Sequence, residues 1–274
     1  MGMYQWNTAK KKWERALVGI QLSTLLKIFP QIIKWFFLKK DKKYLYMQKV
    51  AYQDAANNST YDTDKKNDFV VGSYDKQNKW EDYDKYLMKY VDESFQEKIA
   101  LDFACGPGRN IVKYNKWFKR IDGCDISENN INNAKENLTY HKIPLPNLYV
   151  TSGDNLGVEQ ENYYDFIFSS IAMQHICVHK IRYSILTCMY KALKKGGRIS
   201  IQMAFGTFRK NSVGYFENCF NAMGTNGGYD TRVEDPNEIK KDLDNIGFKG
   251  FEYWVRPAGP GDADTNWIFF TASK

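Results

Sequence analysis

The sequence predicts an α/β fold, a doubly wound and mostly parallel sheet with helices on both faces and an antiparallel hairpin at its end. Three observations predict it. Strand-length apolar runs at 99–103, 120–125, 148–152, 164–170 and 198–205 alternate with helix-patterned segments. The first run breaks into Cys105, Gly106, Pro107 and Gly108 before a helix can start at Arg109, a turn that leaves backbone bare for a ligand. The last two runs, 248–255 and 267–272, have no helix between them and read as a hairpin.

Composition bounds the class. The 274 residues are 43% hydrophobic, enough for one large core plus an appendage. The net charge is +7, but the first 50 residues hold eleven basic against two acidic side chains, and the remaining 224 hold 28 against 30. The basic character therefore belongs to the N-terminal segment, and the main domain lacks the electrostatic footprint of a nucleic-acid binder. Cys105, Cys124, Cys177, Cys188 and Cys219 are odd in number and nowhere spaced C-x-x-C, which points to free thiols in a reducing, cytoplasmic compartment.

Residues 1–52 read as a basic, apolar helical extension. Lys27, Pro30, Gln31 and Lys34 interrupt its apolar run before it reaches the roughly 20 residues a membrane span needs. Three readings stay open for residues 13–40: a helical cap folded over the main domain, a dimer contact, or peripheral contact with the inner face of a membrane, where the basic ends suit anionic lipid. Residues 53–79, polar and rich in Asn and Asp, read as a linker or lid.

Residues 80–274 form the main domain. Its first helical pattern, 80–91, sets Trp80, Tyr83 and Leu87 on one face, so that Trp80 either packs in the core or walls a substrate pocket. A helix follows Gly108 as far as Lys119. Asp125 ends the second strand about twenty residues beyond the glycine turn, the distance at which one βαβ step sets a carboxylate beside a ribose. Ser127 caps the next helix. The pattern predicts a helix over 181–194 that ends at Lys194, Lys195, Gly196 and Gly197, and another over 235–246 with Asp235 as cap, Pro236 at its first position and Gly247 beyond.

The stretch ALDFACGPGRN resembles motif I of the class I S-adenosylmethionine-dependent methyltransferases, acid-x-G-x-G-x-G, with Ala104 where the first glycine usually stands. GCDISENNINNAKENL is similar to the family's second motif, and KALKKGGRISIQ to its approach to the fifth strand, without the proline. The resemblance spans residues 80–274. It implies a Rossmann-like, seven-stranded sheet, S-adenosyl-L-methionine as cofactor and S-adenosyl-L-homocysteine as product. It also implies cofactor contacts at Asp102, Ala104, Gly106 and Gly108, a ribose contact at Asp125, and Ile126 against adenine. Asp154 and Asn155 would meet the adenine edge, and Ser169 would reach the carboxyl edge of the sheet.

His175 lies just beyond the fourth strand, where the family commonly carries a histidine or an acid. Its imidazole either takes a proton as general base, or only caps the next helix or orders the cofactor's methionine end. His175 and His179 stand four apart, but two ligands without a third make a poor site, and no metal is expected. Residues 206–234 read as an acceptor-pocket insertion, with Tyr215 and Phe216 as wall and glycines as hinges.

Ser170, Ile171, Ala172 and Met173 stand where nucleic-acid N-methyltransferases carry Asn/Asp-Pro-Pro-Tyr, so nucleic acid is disfavoured. The expected acceptor is a small molecule, with oxygen ahead of nitrogen, and a sugar or glycan-precursor hydroxyl as the leading candidate. Two alternatives stand beside it: a small-molecule N-methyltransferase, and a non-catalytic S-adenosylmethionine-binding scaffold recruited through the N-terminal helix.

Overall fold

The computed structural model describes residues 37–56, 83–207, 210–224, 228–257, 259 and 266–274. Most of the 13–40 stretch, most of the polar 53–79 segment and Trp80 lie outside the described residues.

Five parallel strands form the centre: β1 (Ile99–Phe103), β2 (Arg120–Asp125), β3 (Leu148–Val150), β4 (Tyr164–Ser169) and β5 (Leu193–Phe205), in the spatial order β3-β2-β1-β4-β5. After the short β6 (Ser212–Gly214) and β7 (Asp230–Val233), the chain ends in the hairpin β8 (Lys249–Pro257) and β9 (Asn266–Ser273). β9 runs antiparallel to β5, and β8 antiparallel to β9. These seven strands are the sheet the sequence implies.

Two strands come in addition, because β5 outreaches β4. Ser169, at the end of β4, pairs with Ile201. Beyond that point Ala204 and Phe205 pair on the vacated side with Arg232 and Val233 of β7, and on the other side with Trp267 and Asn266. β6 then adds to β7. Strands of three and four residues are too short to show alternation, so the 206–234 insertion reads as loop until β5 offers it an edge.

Helices α1 (Lys40–Ala56), α2 (Asp84–Leu87), α3 (Arg109–Tyr114), α4 (Glu128–Tyr140), α5 (His179–Ala192) and α6 (Pro236–Ile246) complete the described fold. α3 stops short of Lys119. α5 ends at Ala192, and the Lys194–Gly197 stretch expected to cap it belongs to β5 instead: Leu193 already pairs with Tyr164, and Lys194 reaches the Asp165 carboxylate at 2.9 Å. α6 starts and stops as its sequence dictates, with a capping box between Asp235 and Glu238 and Gly247 left-handed at φ 117°. On one face of the sheet Phe95, Phe118, Phe166 and Phe168 pack edge and face. On the other, Ile185, Leu186 and Met189 of α5 meet Ile167, Ile199 and Ile201. Each such side chain stabilises the fold by about 1.5–3 kcal/mol on burial.

α1 departs most from expectation. It runs past residue 52 to Ala56, so the boundary predicted there falls inside a helix. Tyr44 and Leu45 are buried against the domain, and the Cys177 amide donates to the Tyr44 hydroxyl at 2.9 Å. At its other end, the Asn129 and Asn133 carboxamides donate to the Gln53 and Ala56 carbonyls at 3.1 and 2.8 Å, satisfying groups that a helix end leaves orphaned. Among the described residues no helix is long and apolar enough to cross a membrane.

Candidate active site

A cavity of about 260 Å³ opens where β1, β2 and β4 end, between the glycine turn and α1. Ligands of open α/β sheets bind at this carboxyl edge.

The turn after β1 is left-handed three times, at Ala104 (φ 58°), Gly106 (φ 53°) and Gly108 (φ 85°). Two of these residues are glycines. Ala104 is not, and its methyl costs the turn about 1–2 kcal/mol. Gly108 is the N-cap of α3 and packs on α4, where a Cβ would lie 3.3 Å from Ala134 Cβ. Gly108 therefore serves helix packing, while Ala104, Gly106 and Pro107 line the cavity.

Asp102 is fully buried and does not itself line the cavity. It lies beneath Asn110, whose carboxamide donates to Asp102 Oδ1 at 3.4 Å and to Ser170 Oγ at 3.1 Å. Asp102 Oδ2 has no partner, and burial pushes its carboxyl up to about 7. Arg109, whose guanidinium reaches Ser170 Oγ at 3.4 Å, brings a cation to the same wall.

Asp125 does line the cavity. Its Oδ2 accepts from the Gly106 amide at 3.0 Å, and its Oδ1 from the Ser127 amide at 2.8 Å and the Asn130 carboxamide at 3.2 Å. Burial raises this carboxyl above its ordinary range, and these donors pull it back. The carboxylate sits in a ring of donors on the cavity wall, and Oδ2, facing the Gly106 amide, is its less heavily bonded oxygen.

Ile126 lines the cavity, held against Gly153, where a Cβ would fall 2.6 Å from Ile126 Cδ1. From the loop after β3, Thr151 and Gly153 form the wall. Asp154 and Asn155, expected there, do not. Asp154 pairs with Lys42 of α1 at 3.0 Å and accepts from Ser152, while Asn155 closes its own turn through Ser152 and the Gly157 amide. Ser169 likewise gives way to its neighbour: its hydroxyl is buried and donates to the Phe103 carbonyl at 3.0 Å, and Ser170 lines the cavity.

Tyr215 and Phe216 do not reach the cavity. Tyr215 is buried with its hydroxyl on Asp242 at 3.1 Å, and Phe216 lies at the surface against the His179 ring. What the insertion delivers instead is Asp230, the first residue of β7. His175 closes a 3-10 turn (Met173–His175) after β4, lines the cavity, and holds Asp230 Oδ1 with Nδ1 at 2.5 Å. His179 begins α5 and pairs with Asp242 at 2.8 Å, so the two histidines face different carboxylates. Among the described residues no group of three metal-ligating side chains occurs.

Several wall residues had no sequence signal of function: Gln48, Tyr52, Ala55 and Ala56 of α1, and Asn130 of α4. Burial raises the Tyr52 hydroxyl, with the Asp125 and Asp230 charges adding to it. One signal was available. Asn129, Asn133 and Asn137 recur every four residues along α4, and Asn137 donates to the Pro107 carbonyl at 2.8 Å, so a single carboxamide stripe ties α1 and the glycine turn to one helix.

Residues 100–197 match the methyltransferase domain family. No curated protein matches the chain. Among solved structures it is similar to phosphoethanolamine N-methyltransferase 2 of Haemonchus contortus, in complex with phosphomonomethylethanolamine and S-adenosylhomocysteine (19% identity, TM-score 0.52, 69% of this chain and 51% of that one). It is also similar to a SAM-dependent methyltransferase of Methanosarcina mazei (16%, 0.51, 68% and 95%). A third is the structure describing conversion of a disulfide bond into a thioacetal group during echinomycin biosynthesis (10%, 0.54, 83% and 92%). The chain spans about half the length of the Haemonchus protein. At these identities the likeness is one of fold. Residues 100–197 thus match a methyltransferase domain, set in a fold that the chain shares with S-adenosylmethionine-dependent methyltransferases.

Proposed function

We propose that the chain transfers a methyl group from S-adenosylmethionine to a hydroxyl of a small polar acceptor, a sugar or glycan precursor in first place, with His175 as the base. One arrangement supports the reading: the glycine turn, Asp125 and His175 come from the ends of three different strands and open on the same cavity.

The cavity offers counterparts for the cofactor's parts. Asp125 offers Oδ2 to one ribose hydroxyl, and Ile126 with Gly153 makes an apolar slot for a purine face. The Arg109 guanidinium suits a carboxylate. The orphaned oxygen of Asp102, reached through Asn110 and Ser170, suits an ammonium. When bound, S-adenosylmethionine supplies an electrophilic methyl on a positively charged sulfur. His175 takes the acceptor's proton, and α1 keeps water out. Residues 13–40 would add either a second copy of the chain or an anionic membrane surface as partner, which light scattering and vesicle co-sedimentation separate.

The test is a screen of sugars, phosphorylated metabolites and small amines for release of S-adenosylhomocysteine, with His175→Ala in parallel. A hydroxyl acceptor whose turnover falls about 10²–10⁴-fold in the variant is the expected result. Turnover only with amines, or full turnover without His175, would overturn the oxygen acceptor or the base respectively.

A further inference from the structure

We propose that Asp230 is the positioning residue that holds the His175 ring with its proton on Nδ1, leaving Nε2 as the lone pair for the acceptor. The inference rests on the reading of His175 as base and adds how that base is made competent.

Neutral imidazole carries its proton on either nitrogen, and only the unprotonated one can act as base. At 2.5 Å from Nδ1, the ionised Asp230 carboxylate can accept a hydrogen bond there but donate none, so it selects the Nδ1–H tautomer. It also carries the charge that stabilises an imidazolium. As the acceptor oxygen takes the methyl, the C–S bonding pair stays on sulfur, and the hydroxyl proton passes to Nε2 opposite Asp230.

The surroundings fix this pair from both sides. A Cβ at Gly224 would fall 2.6 Å from His175 Nδ1, so no side chain can stand there while the ring keeps its bond. On the Asp230 side, Thr231 donates to the Ile176 carbonyl at 3.1 Å and accepts from the buried Arg182 guanidinium at 2.8 Å. Arg182 also holds the Ile176 and Tyr215 carbonyls directly. The strand that begins with Asp230 and the loop that carries His175 are thus bolted together one residue from the contact. This gives the 206–234 insertion a chemical task in place of the wall expected of Tyr215 and Phe216.

The test reads the tautomer, which a purely structural role would not set. The full chain, labelled with ¹⁵N-histidine, is saturated with S-adenosylhomocysteine and held above the pH at which imidazole protonates. Long-range ¹H–¹⁵N spectra of wild type should show His175 protonated on Nδ1. Asp230→Ala should move the population toward Nε2–H, and the isosteric Asp230→Asn keeps the comparison available if the alanine variant does not fold. S-adenosylhomocysteine affinity should stay within about threefold in a folded variant, while kcat with the acceptor falls about 10²–10⁴-fold. An Nε2–H tautomer in wild type, or a tautomer indifferent to both substitutions, overturns the proposal. If instead the tautomer responds but His175→Ala keeps full turnover, Asp230 does position the ring and the base reading is what fails.

Discussion

The Lys42 ammonium stands 3.0 Å from Asp154 Oδ2, and this ion pair turns a residue expected at the adenine edge into a clasp for α1. Burial would raise the Asp154 carboxyl, but the hydrogen bonds from Ser152 and Lys42 outweigh it and hold it below the ordinary range. The pair is largely exposed, so Lys42→Ala should cost less than about 1 kcal/mol of stability.

What the clasp secures matters more. Gln48, Tyr52, Ala55 and Ala56 are part of the cavity wall, so the site is not complete within residues 80–274. Deleting residues 1–56 should abolish S-adenosylhomocysteine binding in protein that still melts cooperatively. Asn133→Ala, which orphans the Ala56 carbonyl, should weaken it by about tenfold at a cost of about 1–2 kcal/mol in stability. Calorimetric titration beside a thermal melt measures both.

Ala104 sits at φ 58°, where an L-residue is strained. Ala104→Gly should stabilise the protein by about 1 kcal/mol and raise Tm by about 2–4 °C. Gly108→Ala combines φ 85° with a Cβ 3.3 Å from Ala134 and should do the reverse by at least as much. Differential scanning calorimetry decides both signs.

Asp102 makes stability depend on pH in an unusual direction. Its carboxyl is pushed up to about 7 in the folded protein, above the ordinary value of about 3.9. Between these values the folded state binds more protons than the unfolded one, so this group's contribution falls as pH rises from about 4 to about 7 and is level beyond. Asp102→Asn removes it, and the variant should gain on wild type across that window in urea melts. A ligand ammonium near Asp102 would favour its ionised form. Titration with S-adenosylhomocysteine near pH 6.5, in buffers of different ionisation enthalpy, should therefore show proton release in wild type that is lost in Asp102→Asn.

Arg182 is buried, its guanidinium spent on the Ile176 and Tyr215 carbonyls and the Thr231 hydroxyl, with no carboxylate in hydrogen-bond reach among the described residues. Arg182→Met leaves the Tyr215 carbonyl unsatisfied and should cost about 2 kcal/mol. Hydrogen exchange should quicken first around β7 and Tyr215, which Arg182 ties to α5.

The parts of the site written in one local stretch were legible in the sequence. The glycine turn announces itself through Gly106, Pro107 and Gly108, and Asp125 through its distance from them, because one βαβ step fixes where the next strand must end. The α6 boundaries were legible for the same reason, with Asp235, Pro236 and Gly247 acting within a few residues of themselves. Contacts between distant segments were not. Nothing near Lys42 says that it will claim Asp154, 112 residues on, and so Thr151 and Gly153 inherit the wall. Asp230 meets His175 across 55 residues, through a strand of four that forms only because β5 outreaches β4. The substitution at Ala104 was visible, but its left-handed backbone was not.

The proposed binding of S-adenosylmethionine by Asp125 and the glycine turn underlies every role assigned to the other wall residues. Calorimetric titration with S-adenosylhomocysteine, with NAD as control and Asp125→Asn beside wild type, tests it most directly. Wild type should bind S-adenosylhomocysteine and not NAD, and the variant should lose about 1.5–3 kcal/mol of that affinity while remaining folded. Binding of NAD, or unchanged affinity in a folded Asp125→Asn, would contradict it.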